Sequence, residues 1–321
     1  SSRKGPGAFS DAPRRSRGLP PQLLAAMAPG RSPQSAAAAP RIPMTALSVA
    51  RTAPRPCNLT EASPAGGRDR RARCGRLAYP VIEVLRLVQV WDSVQGFIGL
   101  STGYFIHFVS SVQCDLGVTG AIGEIGVAGG KSFVAMALTR RGGEPLVACD
   151  LFATGEERDN VPDANLPLFL DVLDAFSIPR DDVTILKQSS LQLRDSDLVS
   201  LAATRRRDGP RVGRFRLFHV DGGHFALAAF HDLNSAACAL VPGGVILVDD
   251  LHNMGYPGVQ EGFHRFMLED SPRRLVPFLF TGRLFLTTPG YASTYRRAIL
   301  RVHPELDTAL FFGEEVVRAP P

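Results

Sequence analysis

The chain has 321 residues, of which 45% are apolar, enough for one large domain with appendages and a full hydrophobic core. Its net charge of +5 conceals a division: residues 1–75 hold thirteen Lys and Arg against three acids, so the remainder stands at −5 and shows no nucleic-acid footprint. No apolar run approaches the roughly 18 residues of a membrane helix, and five cysteines without a CxxC spacing argue against a disulfide framework or a zinc site and suit a reducing compartment.

Residues 1–76 are rich in Pro, Ala, Ser, Gly and Arg and lack apolar periodicity, which predicts a disordered basic leader. Such an Arg-rich, acid-poor composition suits a transit peptide and equally a plain basic tail. The expected location is cytoplasmic, or organellar if the leader is a transit peptide. The first residue is Ser rather than Met, which leaves room for a missing start. Between 77 and 119, Val81, Val84, Leu85 and Val88 recur at helical spacing, and Tyr104, Phe105, Phe108 and Val109 mark a second helix. The pair is read as a lid over a crevice or as a cap packed on the sheet.

The centre of the chain is Gly120 to Lys131. Residues 121–127 form a short apolar run that fits a strand buried on both faces. Gly126, Gly129 and Gly130 then allow a tight turn and close approach of a ligand, and 132–138 favours a helix. Strand, glycine turn and helix in that order open a doubly wound, Rossmann-like α/β sheet whose ligand crevice lies at the carboxyl ends of its strands.

Further strands are predicted at 145–150, 183–187, 216–220 and 245–248. Helices are predicted at 167–176, over part of 191–204, and from 226, where Ala226, Phe230, Leu233, Ala237 and Leu240 form an apolar stripe. Residues 205–214 read as a basic surface loop. Pro257 opens another helix. The apolar runs 275–280 and 284–287 are separated by only three residues, too few for a parallel crossover, so they form an antiparallel hairpin and the sheet is mixed. The domain is expected over 120–305, with 306–321 as a C-terminal tail.

Two constellations carry chemistry. Asp150, ending the second strand beside the glycine turn, is placed to accept ribose hydroxyls. The turn itself fails the dinucleotide pattern, with Glu124 and Ala128 at glycine positions, and fails the phosphate-loop spacing, with Ile125 where glycine is needed. Glu124 disfavours phosphate and favours a ligand carrying an ammonium or sulfonium cation. Asp221, Asp249 and Asp250 end neighbouring strands, so their mutual repulsion calls for a proton or a hard divalent ion such as Mg²⁺. His224 faces the same crevice as a general base, a metal ligand or a helix cap. His252 is a weaker candidate for substrate contact, and His231 is read as a surface residue.

Taken in order, Glu-Ile-Gly-Val-Ala-Gly-Gly-Lys-Ser at 124–132, the strand ending in Asp150, Val-Asp-Gly-Gly-His at 220–224 and Val-Pro-Gly-Gly-Val-Ile-Leu-Val-Asp-Asp at 241–250 resemble class I S-adenosylmethionine-dependent methyltransferases. More narrowly, they resemble the small-molecule O-methyltransferase branch that includes macrocin-type sugar O-methyltransferases. The resemblance covers about residues 80–300 and implies a seven-stranded sheet whose last strand is antiparallel. It puts Glu124 and Gly126 near the methionine part of S-adenosyl-L-methionine, Asp150 on the ribose and Ser189 by the adenine, with Gly129 and Asp221 completing the cofactor contacts. In metal-dependent members, acids matching Asp221, Asp249 and Asp250 bind Mg²⁺. Gly223 stands where several relatives carry an acid, which moves the catalytic assignment to His224, with Asp221 beside it. The implied activity is methyl transfer to a hydroxyl of a small molecule, with metal assistance. An NAD-dependent oxidoreductase, which requires a parallel final strand, and an inactive S-adenosylmethionine-binding module are the alternatives. Neither nucleic acid nor membrane is expected as a partner, and a homo-oligomer is allowed.

Overall fold

Strand β1 (Ala121–Ile125) lies inside the sheet, and all five of its residues are buried. The computed structural model describes residues 76–152, 166–203, 213–269 and 274–321. The basic leader, the basic loop and most of the charged loop after Asp150 lie outside the described residues.

Two parallel neighbours flank β1, namely β2 (Leu146–Asp150) and β4 (Phe215–Val220). Beyond them lie β3 (Val183–Lys187) against β2 and β5 (Leu240–Val248) against β4, both also parallel. The chain therefore winds outward in one direction to β3 and then returns to the other side of β1. A crevice opens where that reversal occurs, between the ends of β1 and β4.

On the far side, β6 (Val276–Phe280) and β7 (Leu284–Thr287) form the expected antiparallel hairpin, and β7 also runs antiparallel to β5. A parallel final strand, which the NAD reading needs, is not what this sheet has at that position. Among the described residues the sheet holds nine strands in the order β3-β2-β1-β4-β5-β7-β6-β9-β8, rather than the expected seven. The extra pair, β8 (Asp307–Phe311) and β9 (Glu314–Arg318), comes from residues read as a tail. Their turn, Phe312-Gly313, places both residues at positive φ (51° and 76°), as a tight hairpin turn requires. Phe is not the turn signal that a sequence reading looks for, and only Val316 and Val317 of the hairpin strands are deeply buried.

Helices cover the sheet: α1 (Val81–Gln89), α2 (Leu100–Leu116), α3 (Lys131–Ala137), α4 (Leu166–Ala175), α5 (Asp195–Leu201), α6 (Ala226–Cys238), α7 (Pro257–Leu268) and α8 (Ala292–Val302). Helix α2 buries Phe105, Ile106 and Val109, packs against α3, and ends at Gly117, whose left-handed φ of 71° closes its last turn. The segment between α1 and α2 reaches the crevice: the Gln95 carbonyl accepts the Lys131 amide (3.3 Å), and Phe97 lines the wall. Helix α6 is rotated from the expected stripe, burying Asp232 and Ser235 along with Leu233 and Ala237.

Polar groups also run through the core. Arg216, fully buried in β4, bonds the Glu144 carboxylate (2.8 and 3.0 Å), Gln113 (2.9 Å) and the Thr139 carbonyl (2.8 Å), which satisfies the charge at the amino ends of the strands. Of the described cysteines, Cys149 and Cys238 are buried. No helix among the described residues is long and apolar enough to cross a membrane.

Candidate active site

The glycine turn is shaped first by the protein's own backbone. Asp221 N–H bonds the Ile125 carbonyl (2.9 Å), drawing the ends of β1 and β4 together. Gly126 has φ 84°, and a Cβ there would lie 1.7 Å from the Asp221 carbonyl oxygen, so no other residue fits without moving a strand. Gly126 does line the crevice, but Gly129 does not: a Cβ on it would strike Gln95 at 2.6 Å. Gly129 packs against the segment before α2.

Two non-glycine residues, Ala128 and Phe152, hold left-handed φ values of 47° and 44°. Conformations of this kind cost about 1–3 kcal/mol and persist when neighbours enforce them. Here the enforcer is Asp150, whose two oxygens accept the Ala128 amide (2.9 Å) and the Phe152 amide (2.7 Å). Each oxygen keeps a second lone pair for a ligand hydroxyl.

The crevice encloses about 590 Å³, and its wall includes Asp150, Ser189, Asp221, His224, Asp250 and Arg283. That is within the range of small-molecule sites. Glu124 is not on the wall. It belongs to β1, as expected, and its side chain is fully buried beneath α3, where Ser132 donates to it and His219 Nδ1 lies 2.6 Å away. Burial raises its pKa more than His219 and Ser132 lower it. Glu124 thereby forms a strut between β1, β4 and α3.

His224 presents a more specific arrangement. Its Nε2 lies 3.1 Å from Asp250 Oδ2, and its ring stacks on Tyr256 with centroids 3.9 Å apart and planes at 11°. Nδ1 is buried from solvent and has no hydrogen-bond partner among the described residues. Asp250 is in turn held by Asn253 Nδ2 (3.0 Å). Burial opposes its ionisation, but the bonds from His224 and Asn253 outweigh this and hold its carboxyl below the ordinary value. With Nε2 donating to Asp250, Nδ1 is the basic nitrogen.

The family described as methyltransferase domain matches residues 124–251, from the buried acid of β1 to the residue after Asp250. Residues 124–251 are a methyltransferase domain. No curated protein matches the chain. Similar solved structures include the TDP-rhamnose 3′-O-methyltransferase CalS11 of calicheamicin biosynthesis, at 17% identity over 66% of this chain and 88% of that one, TM-score 0.45. An O-methyltransferase from Bacillus cereus in complex with SAH is 16% identical over 66% and 93%, TM-score 0.43. The methyltransferase MycE of the mycinamycin pathway, in complex with Mg and SAH, is 14% identical over 66% and 55%, TM-score 0.39. At these scores the likenesses carry no argument about the site.

The methyltransferase domain is a doubly wound sheet with a crevice at its reversal point and Asp150 ending β2. Its three expected metal ligands divide between two groups that share Asp221. Ligand atoms of Asp221, His224 and Asp250 lie within 4.8 Å of one another, as do those of His219, Asp221 and Asp249. Most are already engaged. Arg283 gives Nε (2.9 Å) and a terminal nitrogen (2.5 Å) to Asp249 Oδ2, while Asp249 Oδ1 accepts the Asp250 amide (2.7 Å). Asp221 alone of the three has no donor among the described residues, and burial, then Asp249 and Asp250, push its pKa up against the pull of Arg283.

His252 also lines the crevice, edge-on to Phe280 at 4.8 Å. His231 is not a free surface group: its Nε2 meets the Ser190 and Leu193 carbonyls at 3.0 and 3.1 Å, fixing the segment after β3. Sequence reasoning missed Arg283, Tyr256 and His219. The one available signal was at His219, a polar residue inside the otherwise apolar end of β4.

Proposed function

We propose that the chain transfers a methyl group from S-adenosyl-L-methionine to a hydroxyl of a small molecule, with His224 as the base. The observation that carries this reading is the His224–Asp250 pair at the crevice wall, with Nδ1 left unpartnered. The donor, when bound, supplies a methyl group on a cationic sulfonium. Asp150 accepts its ribose hydroxyls and Ser189 faces its adenine side, both being wall residues at the ends of neighbouring strands.

Charge supports a cationic ligand over a phosphate-bearing one. Four aspartates line the wall, Asp150, Asp221, Asp249 and Asp250, and Arg283 is committed to Asp249. As the acceptor oxygen gains its methyl carbon, its proton passes to His224 Nδ1. Asp250 holds the ring in the tautomer that leaves that nitrogen free and stabilises the charge that develops on it. Stacking on Tyr256 keeps the ring plane fixed.

The test is incubation with labelled donor and a panel of sugars, phenols and cell extract, with donor affinity followed by calorimetry. Wild-type protein is expected to label at least one hydroxyl-bearing acceptor. His224→Ala is expected to lower kcat by about 10²–10⁴-fold with donor affinity unchanged. Wild-type turnover in that variant would remove His224 from the chemistry, and donor binding without transfer to any acceptor would favour the inactive module.

A further inference from the structure

The carboxylates at the ends of β4 and β5 require a cation, and the chain itself provides one. Arg283 lies in the three-residue link between β6 and β7, the same link whose shortness forces those strands antiparallel. Its side chain is 11% exposed, that of Asp249 is 8%, and both nitrogens converge on one Asp249 oxygen. The second Asp249 oxygen takes the Asp250 amide, and the Asp250 oxygens take His224 and Asn253. Four of the six carboxylate oxygens therefore already have protein partners. A divalent ion held by Asp249 would have to strip Arg283 from it, and one held by Asp221, His224 and Asp250 would have to part the His224–Asp250 pair. A bound Mg²⁺ also demands near-octahedral oxygen ligands and keeps several of its waters, whereas the available oxygens here are those of Asp221.

We propose that Arg283 is the resident cation of this site, takes the place that a divalent metal would fill, and positions Asp249 so that methyl transfer proceeds without metal. The metal-free step rests on the methyl-transfer reading above; the exclusion of metal does not. Arg283 is fixed by its backbone, since the Thr281 amide bonds the Arg283 carbonyl (3.0 Å) across Gly282, which has φ 82°. Arg283 also lines the crevice, so its charge adjoins the reacting groups without being assigned contact with them.

The test titrates Mn²⁺ alone into the full chain, followed by electron paramagnetic resonance, for the wild type, Arg283→Lys, Arg283→Met and Arg283→Met with Asp249→Asn. Thermal unfolding reports whether each variant folds. Wild type and Arg283→Lys are expected to bind no Mn²⁺ up to millimolar concentration. Arg283→Met is expected to bind one equivalent at least tenfold tighter, and the added Asp249→Asn to abolish that site. Chelator-treated wild type is expected to keep full turnover. One tight equivalent of Mn²⁺ on the wild type, or turnover lost to chelator and restored by Mn²⁺, overturns the proposal. So does a folded Arg283→Met that binds none, because Arg283 is then not what excludes the ion. Should Arg283→Met fail to fold, the wild-type and Arg283→Lys titrations still decide. Should no acceptor be turned over, the Mn²⁺ titrations still read the cluster, so failure of the methyl-transfer reading is separable.

Discussion

Asp250 holds a left-handed backbone, φ 58°, which turns its carboxylate back toward His224 and Asn253 rather than along the strand. Asn tolerates that conformation as well as Asp does, so Asp250→Asn is a clean probe of charge with the backbone preserved. The amide no longer enforces the tautomer with a free Nδ1, nor stabilises a protonated ring. Steady-state turnover is expected to fall by about 10²-fold or more, with donor affinity by calorimetry unchanged. Equal turnover would assign the pair a structural role. At this scale the sequence revealed which residue types end which strands, because Asp150, Asp221 and Asp249 each follow an apolar run directly and Asp250 comes next. It did not reveal pairings: Arg283 meets Asp249 across 34 residues, and nothing local marks either partner for the other.

Helices α6 and α7 show how an element positions the base. A Cβ on Gly262 would lie 2.5 Å from the Ala226 carbonyl and 2.8 Å from Ala229 Cβ, and one on Gly258 would lie 2.8 Å from the His224 carbonyl. These two glycines, one turn apart, let α7 lie directly on the start of α6 and on the segment that carries His224. Propensity alone would make Gly262→Ala stabilising by about 1 kcal/mol in a helix interior. The approach to backbone, which cannot rotate away, is an overpacking defect of about 1–3 kcal/mol and has the opposite sign. Gly262→Ala is therefore expected to lower the thermal midpoint by several degrees and to lower turnover by displacing His224; a raised midpoint would show that propensity wins. The inward pattern of α7 at Val259, Phe263 and Phe266 was legible from its spacing, as was Pro257 at its start. The glycines were not, because their meaning lies in the neighbouring helix. The β8–β9 hairpin escaped for a related reason: its Phe-Gly turn gives no composition signal, and its strands are short and charged.

Across the whole molecule, apolar periodicity specified the order of layers, while a set of buried polar groups ties those layers together. Asp232 of α6 is one of them: it is fully buried, one oxygen accepts the Ser190 hydroxyl (3.0 Å), and the other has no partner among the described residues. Burial pushes its pKa up to about 6, against the lowering effects of Ser190 and His231. In the unfolded chain the same group titrates near 3.9. Between these values the folded state binds the proton that the unfolded state releases, so this residue's contribution to stability is present in full below pH ~4 and is lost as pH rises through ~6. A difference of about two pK units corresponds to about 3 kcal/mol over that window, to order of magnitude. Asp232→Asn keeps an acceptor for Ser190 and removes the titration. Urea unfolding of both proteins from pH 4 to 7.5 is expected to show the wild type losing stability relative to the variant as pH rises, with the difference levelling off above about pH 7. Parallel curves would mean that Asp232 titrates alike folded and unfolded, and that the unpartnered oxygen is solvated through a route from the crevice wall at Gly222 and Ser190.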